Sequence, residues 1–356
     1  MTILSKYLLL KYLKLFFMIL ISLELFFVSF EFIQNLDSIP QSANLTALYI
    51  FYNTFFTLTI TLPLSLVFAW ILLLVIMIKN NELVSIYSLG SSKRKLFLPI
   101  LYVNFLALGI LIALQTTPLA YAYEKKKQIL DGDYFSSLKE DIFVKYNNVY
   151  VYFKKLYPLE QRAEGVEIFE VVEQDLAKTI SAQNAYFQNN KWYIVDANIM
   201  NKPVNISFLE SKLVYEFEES IDTLDGFKPK ILDNVYTANA NYSIIDAIDA
   251  LNVLRNQEVN TDKIRAIIYN QTVVPLFVLP LIFLFYMFIS LNNRFFESRL
   301  FASSTIFATL FTWGAFFLGY KFAMGGVFSP EIALLLPFAI MVVTVFIMFN
   351  KKVIPS

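Results

Sequence analysis

Six long apolar runs, separated by polar segments, constrain this chain more than any other feature. About 20 apolar residues span the hydrocarbon core of a bilayer as a helix, because backbone groups there must bond to each other. Only 16% of all residues are charged and 57% are hydrophobic, which excludes an ordinary soluble protein. The sequence therefore predicts a polytopic α-helical membrane protein with six transmembrane helices, at about 7–36, 48–78, 96–122, 266–291, 300–320 and 332–350.

Residues 123–263 have a different character. They contain 16 Lys and Arg against 23 Asp and Glu, and apolar residues alternate with polar ones, as in half-buried strands. Two pairs of such segments flank Asn147-Asn148 and Asn189-Asn190, a composition typical of hairpin turns. This pattern predicts an antiparallel β insert, a small sandwich or an open roll, followed by a helix that Ser243 caps. Three domains follow: 1–122 with helices 1–3, 123–263 with the insert, and 264–356 with helices 4–6.

The distribution of cations predicts the orientation in the membrane, since cytoplasmic loops are enriched in Lys and Arg. The two short loops on the other side, 37–47 and 321–331, contain a single Lys or Arg, which is Lys321. We therefore expect both termini and the segment 79–95 to be cytoplasmic and the β insert to lie outside. The segments assigned to the cytoplasm hold Lys6, Lys11, Lys14, Lys79, Lys93, Arg94, Lys95, Arg294, Arg299, Lys351 and Lys352.

The polar segment between the second and third runs keeps a helical rhythm. Its apolar and small residues recur at i, i+3, i+4 and i+7: Leu83, Ile86, Tyr87 and Gly90. Asn80 or Asn81 is a candidate N-cap, Glu82 suits the first turn, and Gly90 suits the end. The pattern predicts a short amphipathic helix at about 80–92, suited to receiving a push from a soluble partner. The alternative is an ordinary polar loop.

The residue types that are absent restrict the chemistry. With no Cys and no His, disulfides, thiolate chemistry, Ser-His-Asp triads and most zinc catalysis are excluded. A P-loop signature is also absent, so any ATP-driven work requires an outside ATPase. We expect a transport subunit that binds no cofactor itself. An intramembrane enzyme that uses Glu24 and Glu31 is the alternative, which the lack of paired carboxylates on facing spans disfavours.

Three short segments resemble a known family of membrane proteins. They are Pro63-Leu-Ser65, Asn81-Glu82-Leu83 through Gly90-Ser91, and Asp262-Lys-Ile-Arg265 through Pro275. With the predicted topology they resemble the LptF/LptG permeases of the lipopolysaccharide export ABC transporter over nearly the whole chain. The spacing around residues 32–36 favours LptG over LptF.

The resemblance implies an assembly and a coupling site. A heterodimer of this chain with a paralogous permease would sit on two copies of an LptB-like ATPase, which uses the ATP. The coupling residues would be Glu82 as polar contact, Leu83 and Ile86 as an apolar knob, and Gly90 as a close-packing stop, with Tyr87 and Ser91 beside them.

The resemblance also implies a lipid path. Lipopolysaccharide would enter from the outer leaflet of the bacterial inner membrane, between the first and fifth helices of the two subunits. A periplasmic β-jellyroll would pass it to LptC-like and LptA-like proteins. In the fifth span the candidate gate is an aromatic stripe, with a glycine that allows close helix approach; packing or an interfacial belt is the alternative. The stripe comprises Phe311, Trp313, Gly314 and Phe316.

The first helix departs from the family pattern of outer cations that meet lipid phosphates. It offers Glu24 and Glu31, and no cation occurs between Lys14 and Lys79. An intramembrane carboxylate suggests function, here a divalent ion bridging to phosphates. The alternatives are that Glu24 is protonated or bonded to a Thr or Asn of a neighbouring span, and that Glu31 is solvated. Phosphate contacts would then come from the partner subunit or from Lys125, Lys126, Lys127, Arg265 or Lys321.

Two further hypotheses stay open for the whole chain. A membrane-anchored envelope scaffold would use the β insert as a docking module and would need no ATPase. An ABC permease for another amphiphile would share the architecture but not the lipid. For the run Lys125-Lys126-Lys127, a plain solvated surface is the alternative to a phosphate-facing patch.

Overall fold

The chain forms two compact units in a computed structural model. The structure describes residues 3–353 except 91–92, 133–138, 147–148, 159, 173–174, 204–212, 228–241, 255–259 and 290–296. The first unit contains Met1–Leu130 and Arg265–Ser356, and the second contains Asp131–Ile264. Each unit has its own hydrophobic core.

The first unit is a bundle of long apolar helices. Among the described residues, five helices are long and apolar enough to cross a membrane, and a sixth span results if the bent pair Asp262–Thr272 and Val274–Met287 is counted as one. This confirms the predicted class of helical membrane protein. The helices are α1 (Ile3–Gln34), α2 (Ala43–Lys79), α3 (Glu82–Ser88), α4 (Lys93–Gln115), α5 (Ala122–Asp131), α7 (Asp262–Thr272), α8 (Val278–Met287), α9 (Ser298–Met324) and α10 (Leu336–Val353).

Helix α2 is the centre of the bundle. Its apolar segment is mostly buried, whereas only a small part of those of α1 and α10 is buried. The indole N–H of Trp70 donates to the Ile282 carbonyl at 3.0 Å, which joins α2 to α8. On the other side the Tyr12 hydroxyl of α1 bonds to the Leu66 carbonyl of α2 and to the Asn104 amide of α4. Exposed apolar side chains on the outer helices are the surface expected towards lipid or a second subunit.

Two of the predicted spans have different bounds or shape in the structure. The third span ends at Gln115 rather than near residue 122, and a short 3₁₀ turn, Pro118–Tyr121, leads into α5. The fourth span is broken: α7 and α8 flank a 3₁₀ turn at Val274–Phe277, with a bend of 42°. Pro275 lies in that turn, where its missing N–H removes one helical hydrogen bond.

The second unit is an antiparallel sheet whose six described strands follow each other in chain order. Asn189 and Asn190 both have positive φ, 48° and 66°, as a two-residue type I′ hairpin turn requires. Tyr146 pairs with Val149 across the other predicted turn, whose own residues lie outside the described ones. The antiparallel insert is confirmed; its jellyroll-like form stays a prediction. The strands are β1 (Lys139–Tyr146), β2 (Val149–Tyr157), β3 (Arg162–Val172), β4 (Asp175–Gln188), β5 (Lys191–Asn201) and β6 (Val214–Thr223).

A helix after the sheet begins where the sequence predicts it. Helix α6 covers Ile244–Leu254. The backbone N–H of Asp246 donates to the Ser243 hydroxyl at 3.1 Å, and that hydroxyl donates to the Asp246 carboxylate at 2.8 Å. The first of these bonds is the contact that Ser favours at a helix start, and it confirms Ser243 as N-cap.

Candidate functional site: the first span, its two ion pairs and the short helix α3

The corner between α2 and α3 depends on backbone geometry more than on a capping side chain. Asn81 has φ 58°, in the left-handed region that Asn tolerates better than most residues, and it makes no side-chain cap hydrogen bond. Asn81 thus occupies the predicted N-cap position, but its side chain does not cap the helix. Asn80 instead donates from Nδ2 to the Glu82 carboxylate at 3.0 Å. Gly90, with φ 78°, ends the helix as expected, and its N–H donates to the Tyr87 carbonyl.

The Glu82 carboxylate is held by groups of its own chain. Lys11 Nζ lies 2.7 Å from Oε1 and 2.8 Å from Oε2, and the Tyr7 hydroxyl donates to Oε2 at 3.0 Å. Both partners belong to α1, so α3 is joined to the first span. We call Glu82, Lys11, Tyr7 and Asn80 the clasp.

The clasp keeps Glu82 ionised. Burial acts to raise the pKa of the Glu82 carboxyl, but the hydrogen bonds from Lys11, Asn80 and Tyr7 and the charge of Lys11 outweigh it. The resulting pKa lies below its ordinary value of 4.5. A charged carboxylate under a lysine ammonium is a strong hydrogen-bond pair in a half-buried place.

The apolar side of α3 faces the bundle. Leu83 is 1% exposed and Ile86 8% exposed, and both are part of the hydrophobic core. Their burial attaches α3 to its own chain, and the expectation that they form a knob for a partner stays a prediction. Tyr87 joins them through a 2.7 Å hydroxyl contact to Tyr286 of α8. Ser91 lies outside the described residues.

A different face of α3 points away from the bundle. Its exposed residues recur at i, i+3, i+4 and i+7, which places them on one side of a helix. Leu89, just after the helix, is 83% exposed and adds an apolar tip beside Val84. We call this the outward face: Asn81, Val84, Ser85, Ser88 and Leu89.

The second ion pair lies near the other end of α1. Lys126 of α5 is 3% exposed, and its ammonium bonds to the Glu31 carboxylate and, at 3.1 Å, to Asn53 Oδ1. The ring of Phe56 lies 4.1 Å from the ammonium, close enough for a cation–π contact. Burial lowers the pKa of Lys126, and the bond and charge of Glu31 act against that shift. Lys126 is thus neither a solvated residue nor an open phosphate contact.

Glu24 lies between the two ion pairs and is bonded to threonines. Thr57 donates to one of its carboxylate oxygens and Thr61 to the other. These hydroxyls belong to a buried polar ladder on α2 that repeats every four residues: Asn53, Thr57, Thr61 and Ser65. Glu24 is thus hydrogen-bonded to threonines of a neighbouring span, which is one of the alternatives that the sequence left open. The carboxylate is half-buried, and both of its oxygens accept hydrogen bonds within the membrane unit, as a buried charge requires.

The aromatic stripe of α9 is only partly available to an outside partner. Phe311 is exposed and stacks on Phe307, whereas Phe316 is buried against Phe277. Apart from the backbone of α9 itself, the described residues place no atom within 4 Å of a Cβ built on Gly314, so they make no close approach there. It occurs at Gly319 instead, where such a Cβ would lie 2.6 Å from the Ala333 carbonyl oxygen.

The remaining candidate cations are dispersed. Lys127 is exposed, and Lys125 contacts Gln128 at 3.5 Å. Lys321 is exposed, with its ammonium 5.6 Å from the Phe317 ring. Arg265 donates to the Glu331 carboxylate at 2.6 Å. Within the part of the chain that the structure describes, three or more carboxylates do not gather as a metal site would require.

The family of the chain follows from its sequence match. A family model described as lipopolysaccharide export system permease LptF/LptG matches residues 6–351. The chain belongs to this family. It is therefore a membrane subunit of a lipopolysaccharide transporter rather than a catalytic enzyme. A search of curated proteins found no match.

The match spans both units, so the membrane helices and the β insert are parts of one family architecture. It covers LptF and LptG together, and the preference for LptG stays a prediction. The roles of the site residues also stay predictions. The structure adds partners that the sequence did not identify individually: Lys11 and Tyr7 at Glu82, Thr57 and Thr61 of α2 at Glu24, and Asn53 of α2 at Lys126.

Proposed function

We propose that this chain is a permease subunit that extracts lipopolysaccharide from the outer leaflet of the bacterial inner membrane. A separate LptB-like ATPase dimer supplies the energy, and this chain binds no ATP or other cofactor. A paralogous permease completes the membrane part, and LptC-like and LptA-like proteins receive the lipid. The family match over residues 6–351 is the observation that carries the transport assignment.

The outward face of α3 is the docking surface that we assign to the ATPase. The other side of α3 is already filled, because Leu83 and Ile86 are buried and Glu82 is bonded to α1. Val84 and Leu89 are exposed apolar side chains on a short helix that is otherwise polar on this side. A few apolar anchors within a polar rim are typical of protein interfaces.

The orientation in the membrane follows the charge distribution. Lys11 and Glu31 are 20 residues apart on one uninterrupted helix, a rise of about 30 Å, which matches the hydrocarbon thickness of a bilayer. The two ion pairs of α1 thus suit the two interfaces. We place the clasp and both termini in the cytoplasm, and the Lys126 pair and the β insert in the periplasm.

Purification of the chain from its own membrane, with mass spectrometry of co-purifying proteins and lipids, tests the assignment. We expect an ATPase, a paralogous permease and lipopolysaccharide. An envelope scaffold would instead bring other proteins and no ATPase, and a permease for another amphiphile would bring a different lipid.

Substitution within the outward face tests the docking surface. Val84→Asp with Leu89→Asp should remove the ATPase while the chain still inserts. Ile245→Asp is a matched control, since Ile245 is an exposed apolar side chain of α6 in the other unit. Retention of the ATPase by the Val84/Leu89 variant would contradict this surface.

A further inference from the structure

The hydroxyl of Thr57 has one proton and three acceptors within reach. Its oxygen bonds to a Glu24 carboxylate oxygen, and it also lies 3.0 Å from the Asn53 carbonyl and 3.1 Å from the Thr54 carbonyl. A hydroxyl carries a single O–H donor but can accept as well as donate. Thr57 can therefore direct its proton either to Glu24 or to its own helix.

These two arrangements suit the two protonation states of Glu24. When the carboxylate is ionised, Thr57 donates to one of its oxygens and Thr61 to the other. When it is neutral, its O–H can donate to the Thr57 oxygen, while Thr57 donates to the Asn53 carbonyl and Thr61 keeps its bond. The polar groups of this cluster are hydrogen-bonded in both states, so neither state pays for an unpartnered group. A neutral carboxyl is also less costly than a carboxylate inside a membrane.

The polar ladder of α2 connects Glu24 to the ion pair of Lys126 and Glu31. Asn53 belongs to both groups, because its carbonyl lies within reach of Thr57 and its Oδ1 accepts from Lys126 at 3.1 Å. The Glu31 side chain is 27% exposed, so this end of the ladder reaches the surface. The buried Asn53 Nδ2 has no hydrogen-bond partner within the described part of the chain, which leaves it as a donor to a water molecule on this route.

Glu24 has few charged neighbours on the helices around it. Helices α2 and α4 pack against α1, and their apolar segments 43–78 and 96–115 contain no Lys, Arg, Asp or Glu. Helix α5 adds Lys126, which is bonded to Glu31. The other titratable side chains of the two apolar segments are phenols, which ordinarily stay neutral near pH 7: Tyr49, Tyr52 and Tyr102. A change of charge in the middle of this bundle is therefore a change at Glu24.

We propose that Glu24, Thr57 and Thr61 form a proton-binding site inside the membrane unit, loaded from the end of α1 that carries Glu31. A proton from water binds the carboxylate oxygen that faces Thr57, and the Thr57 hydroxyl turns from that oxygen to the Asn53 carbonyl. The new O–H bond is the only covalent change, and the site loses one negative charge.

The surface of α1 beside Glu24 indicates what favours loading. Phe17 and Ile21 precede Glu24 by seven and three residues, which places them on its side of the helix, and they are 53% and 56% exposed. An acyl chain that covers this surface removes water from the half-buried Glu24 and so favours the neutral carboxyl. Lipid binding and proton binding then strengthen each other. This step rests on the proposed function, since it takes lipopolysaccharide as the ligand.

Infrared spectroscopy of the full chain in lipid nanodiscs tests the proton site without any assumption about transport. Between about pH 8 and pH 5, the wild type should reversibly gain one neutral-carboxyl band that Glu24→Gln lacks. Asp37→Asn is the matched control, because Asp37 is an exposed carboxyl and its loss should leave this band in place. A Glu24 that keeps one protonation state over this range would overturn the inference.

Thr57→Val adds a test that does not depend on the stability of Glu24→Gln. It removes the hydroxyl that accepts from the neutral carboxyl, so the band should remain but shift in frequency. A band of unchanged frequency would show that Glu24 does not donate to Thr57, and the proposed site would be wrong.

Lipid affinity tests the link between the proton and the ligand. The wild type should bind lipopolysaccharide about ten-fold more tightly at pH 6 than at pH 8, whereas Glu24→Gln, whose amide resembles the neutral carboxyl, should bind tightly at both. Asp37→Asn should behave as the wild type. The same pH dependence in Glu24→Gln would overturn the link, and a response to sodium at fixed pH in place of the pH response would mean that the site takes a metal ion. If lipopolysaccharide does not bind at either pH while the infrared band is present, the proposed function fails and the proton site stands.

Discussion

The buried ammonium of Lys126 bonds to the carboxylate of Glu31, a residue 95 positions earlier in the chain. The two side chains are unequal, because that of Lys126 is 3% exposed and that of Glu31 is 27% exposed. Their pairing supplies a cation at the second half of α1, although α1 has no Lys or Arg of its own after Lys14. Lys126 of α5 thus neutralises the carboxylate in the second half of α1.

The unequal exposure predicts that the two halves of this pair are not equally costly to remove. Glu31→Gln leaves a buried ammonium without its counter-charge, which should lower the free energy of unfolding by about 3 kcal/mol. Lys126→Met leaves a carboxylate that can turn towards solvent, and it should cost only about 1–2 kcal/mol. Apparent melting temperatures in detergent should therefore fall further for Glu31→Gln. Lys127→Met, an exposed neighbour, should change little, and the reverse order would contradict the argument.

Glu24 should depend on its two threonine donors. Thr57→Val with Thr61→Val removes both hydroxyls and leaves the carboxylate without donors inside the membrane unit, at a cost of about 2–4 kcal/mol. The melting temperature should drop, and Thr57→Ser with Thr61→Ser should restore it. Thr59→Val is the control, because Thr59 bonds only to a carbonyl of its own helix. An unchanged melting temperature in the double Val variant would contradict the role of these two hydroxyls at Glu24.

The clasp should be insensitive to pH across the physiological range. The pKa of Glu82 lies below its ordinary value of 4.5, so its contribution to stability is complete above that value. It is lost only as pH falls through the lowered pKa. Spin labels at Lys14→Cys and Ser88→Cys should give one narrow distance from pH 8 to about 5, and broaden at lower pH. With Glu82→Gln the distribution should be broad throughout; narrow distances in that variant would argue against the ion pair.

Much of the fold follows from periodicity alone. Apolar runs of bilayer length identify the spans, and the Asn189-Asn190 turn and the Ser243 cap are local signals that need no distant partner. The apolar runs alone show neither the break of the fourth span at Pro275 nor the early end of the third at Gln115, because hydropathy does not report where the helical hydrogen bonds stop.

The site was less predictable, because its contacts join residues far apart in sequence. The sequence indicated Glu82 as a candidate coupling residue but not its partner. Lys11 is 71 residues away, and its pairing with Glu82 depends on α1 packing against α2. The helical rhythm of Leu83 and Ile86 gave an amphipathic helix but not the direction of its apolar face. The spacing of Asn53, Thr57, Thr61 and Ser65 was the one signal that could have found the polar ladder opposite Glu24.

Two glycines of α9 should respond oppositely to the same substitution. At Gly319 an added Cβ would lie 2.6 Å from the Ala333 carbonyl oxygen, which belongs to the π-helical turn Glu331–Leu335 before α10. Gly319→Ala should therefore push α9 away from that turn and cost about 1–3 kcal/mol. Gly314→Ala meets open space and should leave the isolated chain unchanged or slightly more stable, since Ala favours a helix over Gly. Melting temperatures of the two variants in detergent measure the difference. Equal effects would mean that the close approach at Gly319 is not a tight contact, whereas a loss for Gly314→Ala in the assembled transporter alone would mark Gly314 as part of a subunit contact.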